Sequence, residues 1–523
     1  MLNDVLLSQA ITSLQQRAEK RRDERKTVET FVDAGILSQI LSRNDQILYG
    51  RRGTGKTHVF QVTANKFHED PTNAVVLIDG RTLGSTSQFT DSTIPLQQRC
   101  ISLFRDVLIE ISNGILDHIV NEPSSESEQA LSILAELNTI ALEPVRKISE
   151  EYISDREKGL TQEGNQIDGV ISTRDLTLSA KFDKASSSET EKKVSYRVGL
   201  EDKVVFPHLQ SLFSSLLTKA KAGLVILFDE WSSIPLDIQP YLAEFIKRSL
   251  LPNPNIVLKI ATLEYRSQFF AQIDDNTRIG FELGSDISAT IDLDDFYVYD
   301  RNPDGITAIM SDIVFKHIVS ELPKGHLETK YGVTSSNQLV SQLFTQRPTF
   351  QELVRASEGV IRDLLNVFSI AYFDSKRFGK SKIELSAIEQ AASQWFQTDK
   401  FQNLDSTLMT KLTRIVYSTI GERRARSFMI DIDLEKHPII QRLSDYRILH
   451  LIKRGYADKD NPGRRYSIYT LDYGTYVDFK RTLKQPELDF VEFRNERELE
   501  DRIVPFDDKR SIRRIILDKK ILE

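Results

Sequence analysis

The stretch Gly50-Arg-Arg-Gly-Thr-Gly-Lys-Thr57 constrains this chain more than any other, because it fills every defined position of the pattern G-x-x-x-x-G-K-[ST]. Gln46-Ile-Leu-Tyr49 before it reads as a short buried strand. The segment from Lys56 through Lys66 reads as the helix that follows. A strand that turns through glycines into a helix builds a cradle for a triphosphate. The glycines let backbone N–H groups curl around the anion, and the helix N-terminus adds the positive end of its dipole. Lys56 is expected to reach the β- and γ-phosphates, and Thr57 to place a hydroxyl on Mg²⁺. The expected binding stretch is Gly50, Arg51, Arg52, Gly53, Thr54, Gly55, Lys56, Thr57 and His58.

Gly223-Leu-Val-Ile-Leu-Phe-Asp-Glu230 is the second landmark, an apolar strand that ends in two carboxylates. At the C-terminal edge of a parallel sheet they would stand beside the phosphates. Asp229 is expected in the Mg²⁺ shell, and Glu230 is expected to orient and activate water for attack on the γ-phosphate. Asn73–Asp79 and Ile256–Thr262 are further apolar runs without polar alternation, which suits a parallel sheet covered on both faces. Ala289-Thr-Ile-Asp-Leu293 reads as a fifth strand. Thr262 ends its strand either as a contact for the γ-phosphate or attacking water, or as an ordinary strand-ending threonine. Arg266 follows that strand, and Arg278 lies between it and the fifth.

A length of 523 residues suggests about three domains. Apolar content of 40% with 28% charged residues suits globular cores. The net charge of −7 argues against a chain that is basic throughout, but it leaves room for a local basic patch. The single cysteine, Cys100, excludes an intrachain disulfide and a cysteine zinc cluster. The first residues lack a signal-like pattern, and no apolar run approaches the roughly 20 residues of a membrane span. The expectation is a soluble cytoplasmic protein with no membrane partner.

Residues 1–30 read as a helical arm. Its mixed-charge run Arg17–Lys26 fits a solvated helix face better than a basic arm for DNA. Residues 31–299 read as the core, with Thr30–Leu37 placed to cover an adenine and a helix expected at about 95–120. Within the core, 121–200 reads as an insertion of unassigned role. It holds a helix over 127–155, a strand over Val170–Leu178, a flexible loop over Lys184–Lys192 and a returning strand at Val194–Val198. Residues 300–400 read as a helical lid, in which a helix starts near Gly359 with Arg362 in its first turn. Residues 401–483 read as a winged helix. Leu408, Leu412, Ile415 and Val416 form one helical stripe and Pro438 through Lys453 another, before two strands around an Asn461-Pro-Gly turn. Arg464 and Arg465 fall at the wing tip as candidate contacts for nucleic acid. The charged tail, 484–523, carries Lys509, Arg510, Arg513 and Arg514.

The Gly50–Thr57 loop, Leu227-Phe-Asp-Glu-Trp231, the strand ending at Thr262 and Gly359-Val-Ile-Arg362 together resemble an AAA+ ATPase of the origin-recognition initiator type, in its prokaryotic branch. The resemblance spans about 30–480, with 121–200 unmatched. It implies an α/β P-loop NTPase with a five-stranded parallel sheet, a helical lid and a C-terminal winged helix. It also implies ATP and Mg²⁺ held between protomers of a homo-oligomer. It casts Thr262 as sensor 1, where asparagine is commoner, and Arg362 as sensor 2. Arg278 becomes, by position, the arginine finger, with Arg266 as competitor. Two functions stand side by side. One is an ATP-hydrolysing switch on duplex DNA, in replication, mobile-element control or phage defence. The other is a nucleotide-dependent scaffold or signalling ATPase whose winged helix binds a partner protein or its own core.

Overall fold

Five strands form one parallel sheet: β1 (Gln46–Tyr49), β2 (Asn73–Asp79), β3 (Gly223–Asp229), β4 (Ile256–Thr262) and β5 (Ala289–Asp292). Their order across the sheet is β5-β1-β4-β3-β2, and every neighbouring pair is parallel. This is a computed structural model; it describes residues 1–14, 24–84, 91–142, 145–152, 176–178, 194–201, 205–299, 302–417, 426–457, 463–482 and 516–523. The expected run at 17–23, the loop 184–192, the start of the strand expected at 170–178, Asn461 and Pro462 of the turn, and the tail basics Lys509, Arg510, Arg513 and Arg514 lie outside the described residues.

The absence of polar alternation in these runs has its cause in burial on both faces. Leu224, Ile226 and Phe228 of β3 join one core with Phe104, Phe213 and Leu242. Val225 and Leu227, pointing the other way, join a second core with Val59, Phe60 and Leu364. Register aligns Tyr49 with both Thr262 and Asp292, and Asp79 with Asp229. The C-terminal ends of all five strands thus share one edge, where a crevice for ligand forms in open α/β sheets. The sheet itself buries a charged group on β4. Lys259 of β4 has no exposed surface, and its Nζ donates to Ser42 O and Asn44 O at 2.6 Å each and to Gln46 Oε1 at 2.5 Å. Burial pulls its ammonium down to about 7, against three acceptors that only the charged form can all satisfy.

The expected insertion is only partly peripheral. The helix Leu96–Asn121 packs with Ser127–Leu142, whose Ala130, Leu134 and Leu137 are buried in the core. The expected helix over 127–155 is corrected beyond Leu142. Pro144 cannot carry a helix onward, and Val145–Tyr152 is instead a strand. It pairs antiparallel with Val194–Glu201, which pairs in turn with Leu176–Leu178. A small antiparallel hairpin, Phe270–Gln272 with Arg278–Gly280, lies between β4 and β5 and was not foreseen.

The lid is helical: Pro303–Glu321, Ser336–Leu343, Arg347–Ala356, Ile361–Arg377 and Leu385–Trp395 are its main helices. The turn before Ile361 needs a glycine. Gly359 has φ +77, and a Cβ there would meet Tyr297 O at 2.4 Å. The N-terminal arm lies on this lid. Asp4 caps Val5–Ser13, and its other oxygen accepts from His326 and Tyr331 at 2.9 Å each.

The winged domain holds helices Ser406–Ile415 and Pro438–Asp445. Its three antiparallel strands are β6 (Ser427–Asp431), β7 (Leu449–Ala457) and β8 (Arg465–Leu471), in the order β6-β8-β7. The helical stripe expected over 438–453 is corrected as well. Arg447 turns left-handed at φ +59, and Ile448 N–H closes back on Leu443 O at 2.9 Å, ending the helix so that β7 can start. Among the described residues no helix is long and apolar enough to cross a membrane.

Candidate active site

The glycine loop turns through left-handed backbone at Gly53 (φ +86) and Gly55 (φ +101) before the helix Lys56–His68 begins. A Cβ on Gly53 would stand 2.7 Å from Arg362 Cβ, so loop and lid meet at a distance that only glycine allows. The Arg362 N–H donates to Gly53 O at 3.0 Å. The first turn of the lid helix is therefore fixed directly on the loop.

Lys56 is buried, and its Nζ donates to Gly50 O at 2.8 Å and to Arg51 O at 3.1 Å. Burial lowers its pKa, opposed by the nearby charges of Glu230, Asp229 and Asp294. Thr57 Oγ1 donates to Asp229 Oδ2 at 2.6 Å, which brings the two expected metal ligands together across 172 positions of sequence. Asp229 is 3% exposed, and burial raises its carboxyl to about 6 even though Thr57 stabilises the charged form. Its Oδ1 accepts the Glu230 N–H at 2.8 Å. Glu230 is half-buried and holds φ +53, an uncommon conformation for a residue with a side chain. Gly80 makes that turn possible, since a Cβ there would meet Glu230 O at 2.5 Å.

The remaining expected residues divide. Thr262 is fully buried at the end of β4, beside Tyr49, with its hydroxyl bonded to Ser267 Oγ. The His58 ring turns to the N-terminal segment, donating from Nε2 to Thr27 O at 2.6 Å and meeting Phe31 edge-on at 5.5 Å. Arg278 lies exposed on the small hairpin with its guanidinium 3.7 Å from the Phe270 ring centroid. Arg266, its competitor, is committed within its own chain to Asp445 Oδ2 of the winged domain at 2.6 Å. Arg464 and Arg465 are exposed at the start of β8.

Sequence reasoning missed how much grips the loop from behind. The Asp294 carboxylate accepts the Arg51 N–H at 3.0 Å and pairs with its Nε at 3.1 Å. Arg51 also donates to Glu358 O at 2.8 Å and to His450 Nδ1. A cavity of about 360 Å³ lies here, between Tyr49–Arg52, Leu263–Tyr265 and the β7 side of the winged domain.

No protein-family model matches the chain, and no curated protein matches it. Solved structures do. Cdc6p from Pyrobaculum aerophilum is 11% identical at TM-score 0.32, over 90% of this chain and 97% of that one. The Aeropyrum pernix ORC1 protein, solved in complex with DNA, is 12% identical at TM-score 0.35, over 88% and 98%. A Walker-type ATPase of Pyrococcus abyssi is 13% identical at TM-score 0.36, over 89% and 99%. Scores of this size decide nothing about the chemistry; the strand order and glycine loop are the chain's own. The chain has the fold of an α/β P-loop NTPase, with a helical lid and a C-terminal winged helix, and the solved structures similar to it include a Cdc6p, an ORC1 protein and a Walker-type ATPase.

Proposed function

We propose that this chain binds and hydrolyses ATP with Mg²⁺ on the Gly50–Thr57 loop and uses the cycle as a switch. The observation that carries this is the 2.6 Å contact of Thr57 Oγ1 with Asp229 Oδ2 at the first turn of the loop helix. The residues fit both groups. A hydroxyl and a carboxylate are hard oxygen donors of the kind Mg²⁺ takes, and a cation beside Asp229 would offset the burial that now disfavours its charge. The left-handed glycines and the helix start at Lys56 fit a phosphate chain. When bound, Mg²⁺ neutralises charge on the β- and γ-phosphates.

In this reading Lys56 exchanges its loop carbonyls for phosphate oxygens. Glu230 accepts the proton of the attacking water. Thr262 holds that water or the γ-phosphate from the end of β4, and Arg362 supplies positive charge from the lid. Arg278, on the outer hairpin, reaches the site of an adjoining copy, so the working form is a homo-oligomer. The protein acts in the cytoplasm, and its winged helix offers Arg464 and Arg465 to duplex DNA in replication, mobile-element control or phage defence. A second reading has its own support: the winged domain is docked on its own core through Arg266–Asp445, Arg454–Glu264 and the 2.8 Å Tyr265–Tyr469 hydroxyl contact. There its partner is the core itself, or a protein that competes with it.

Titration with a fluorescent ATP analogue tests the nucleotide site. The intact chain should bind it in a Mg²⁺-dependent manner, and Lys56→Ala should lose at least about tenfold in affinity through loss of the fixed cation. Equal affinities would remove the loop from nucleotide binding.

A further inference from the structure

The phosphate loop and the winged domain meet at Arg51 and His450, from which a network of buried polar and ionic groups runs inward. Arg51 donates to His450 Nδ1. A guanidinium has only donors, so Nδ1 accepts and the imidazole proton sits on Nε2. Nε2 faces Asp472 Oδ1 at 3.4 Å. Asp472 Oδ1 also accepts from Lys400 Nζ at 2.6 Å, and Lys400 stands 2.9 Å from Asp363 Oδ2 as an ion pair. Asp363 is further held by Arg447 and by Trp395 Nε1 at 3.0 Å. It is also the chain neighbour of Arg362, whose N–H is bonded to Gly53 O. The circuit leaves the loop at Arg51, crosses the winged domain and the lid, and returns to the loop at Gly53.

The inner members, His450, Asp472, Lys400 and Asp363, each expose 3% or less of their side chains. Burial, and then the Arg51 charge, push the His450 imidazole down to about 3, so it stays a neutral acceptor. Burial would raise the Asp472 carboxyl, but Lys400 and the His450 hydrogen bond hold it below the usual carboxylate range. Such buried pairs add little net stability over apolar packing. Their effect is geometric, because moving one member strands another charge in the interior. A shift of Arg51 leaves the buried His450 Nδ1 without its donor and loosens the imidazole that faces Asp472.

We propose that His450 is a positioning residue for the phosphate loop, acting through Arg51, and that the Asp472–Lys400–Asp363 network makes winged domain and lid respond to nucleotide as one unit. This rests on the nucleotide reading above. By thermodynamic reciprocity, whatever shifts the winged domain changes nucleotide affinity by the same factor that nucleotide changes its docking.

Hydrogen exchange of the full chain, with and without a saturating nonhydrolysable ATP analogue, tests this on peptides from β7. Nucleotide should slow exchange across Leu449–Ala457 in the intact chain. His450→Leu should abolish that effect and weaken analogue affinity by about tenfold, within the usual range of coupling between sites. His450→Asn, whose carbonyl can still accept from Arg51, should restore most of both. If His450→Leu does not fold, Arg51→Met breaks the same bond from the loop side and should abolish the β7 response at saturating analogue. The inference is overturned if β7 protection persists in whichever of these variants folds, or if the intact chain binds the analogue with no change in β7. An intact chain that binds no analogue, with Lys56→Ala indistinguishable from it, overturns the nucleotide reading itself and this inference with it.

Discussion

Asp229 shows at the scale of one residue how a site is held at a cost to the fold. Burial raises its carboxyl to about 6, whereas in the unfolded chain it titrates at 3.8. A folded pKa above the unfolded one contributes stability fully below the unfolded value, and that stability is lost as pH rises through the folded one. Asp229→Asn removes the charge while its single carbonyl still accepts the Glu230 N–H and its NH2 donates to the Thr57 hydroxyl. In nucleotide-free urea unfolding it should therefore match the parent near pH 4 and exceed it by about 1–3 kcal/mol at pH 7, at the expense of Mg²⁺-dependent binding. Parallel pH profiles would show that no charge is being buried there. The places of Lys56, Thr57 and Asp229 were readable in the sequence because the motif spacing and a strand end fix them locally, whereas the role of Arg362 was suggested only by the resemblance. The Arg51 partners Asp294, Glu358 and His450 were not, since they lie 243, 307 and 399 positions away and one sequence carries no signal for such pairings.

Among elements, the strands of the parallel sheet were the most readable, because burial on both faces leaves a continuous apolar run with little else to mean. Short amphipathic stretches were not. Ile439, Ile440, Leu443 and then Ile448, Leu449, Leu451 and Ile452 fit one long helical stripe. The left-handed turn at Arg447 splits them into a helix and β7. The wing is the element whose role separates the two functional readings. Arg464 and Arg465 are exposed at the start of β8. If they contact DNA phosphates, replacing both with Ala should weaken binding to every duplex sequence and flatten the salt dependence by about two units of slope. An unchanged slope would return the wing to protein contacts.

At the scale of the whole molecule, the loop is enclosed by three parts of its own chain: the sheet edge, the lid through Arg362, and the winged domain through Arg51 and Arg266. With Arg266 held by Asp445, Arg278 on its exposed hairpin is the better candidate for a contact with an adjoining copy. Arg278→Ala should bind ATP almost normally yet lose hydrolysis, and mixing it with Lys56→Ala should restore part of the activity across one interface. A normal rate from Arg278→Ala alone would end that assignment. Whether the sheet edge beside the loop carries out hydrolysis is decided by steady-state ATP turnover of the intact chain beside Glu230→Gln. The variant should bind ATP as the parent does and turn it over at least about a hundredfold more slowly, the loss expected on removing a positioned base. Equal turnover by the two proteins would contradict it.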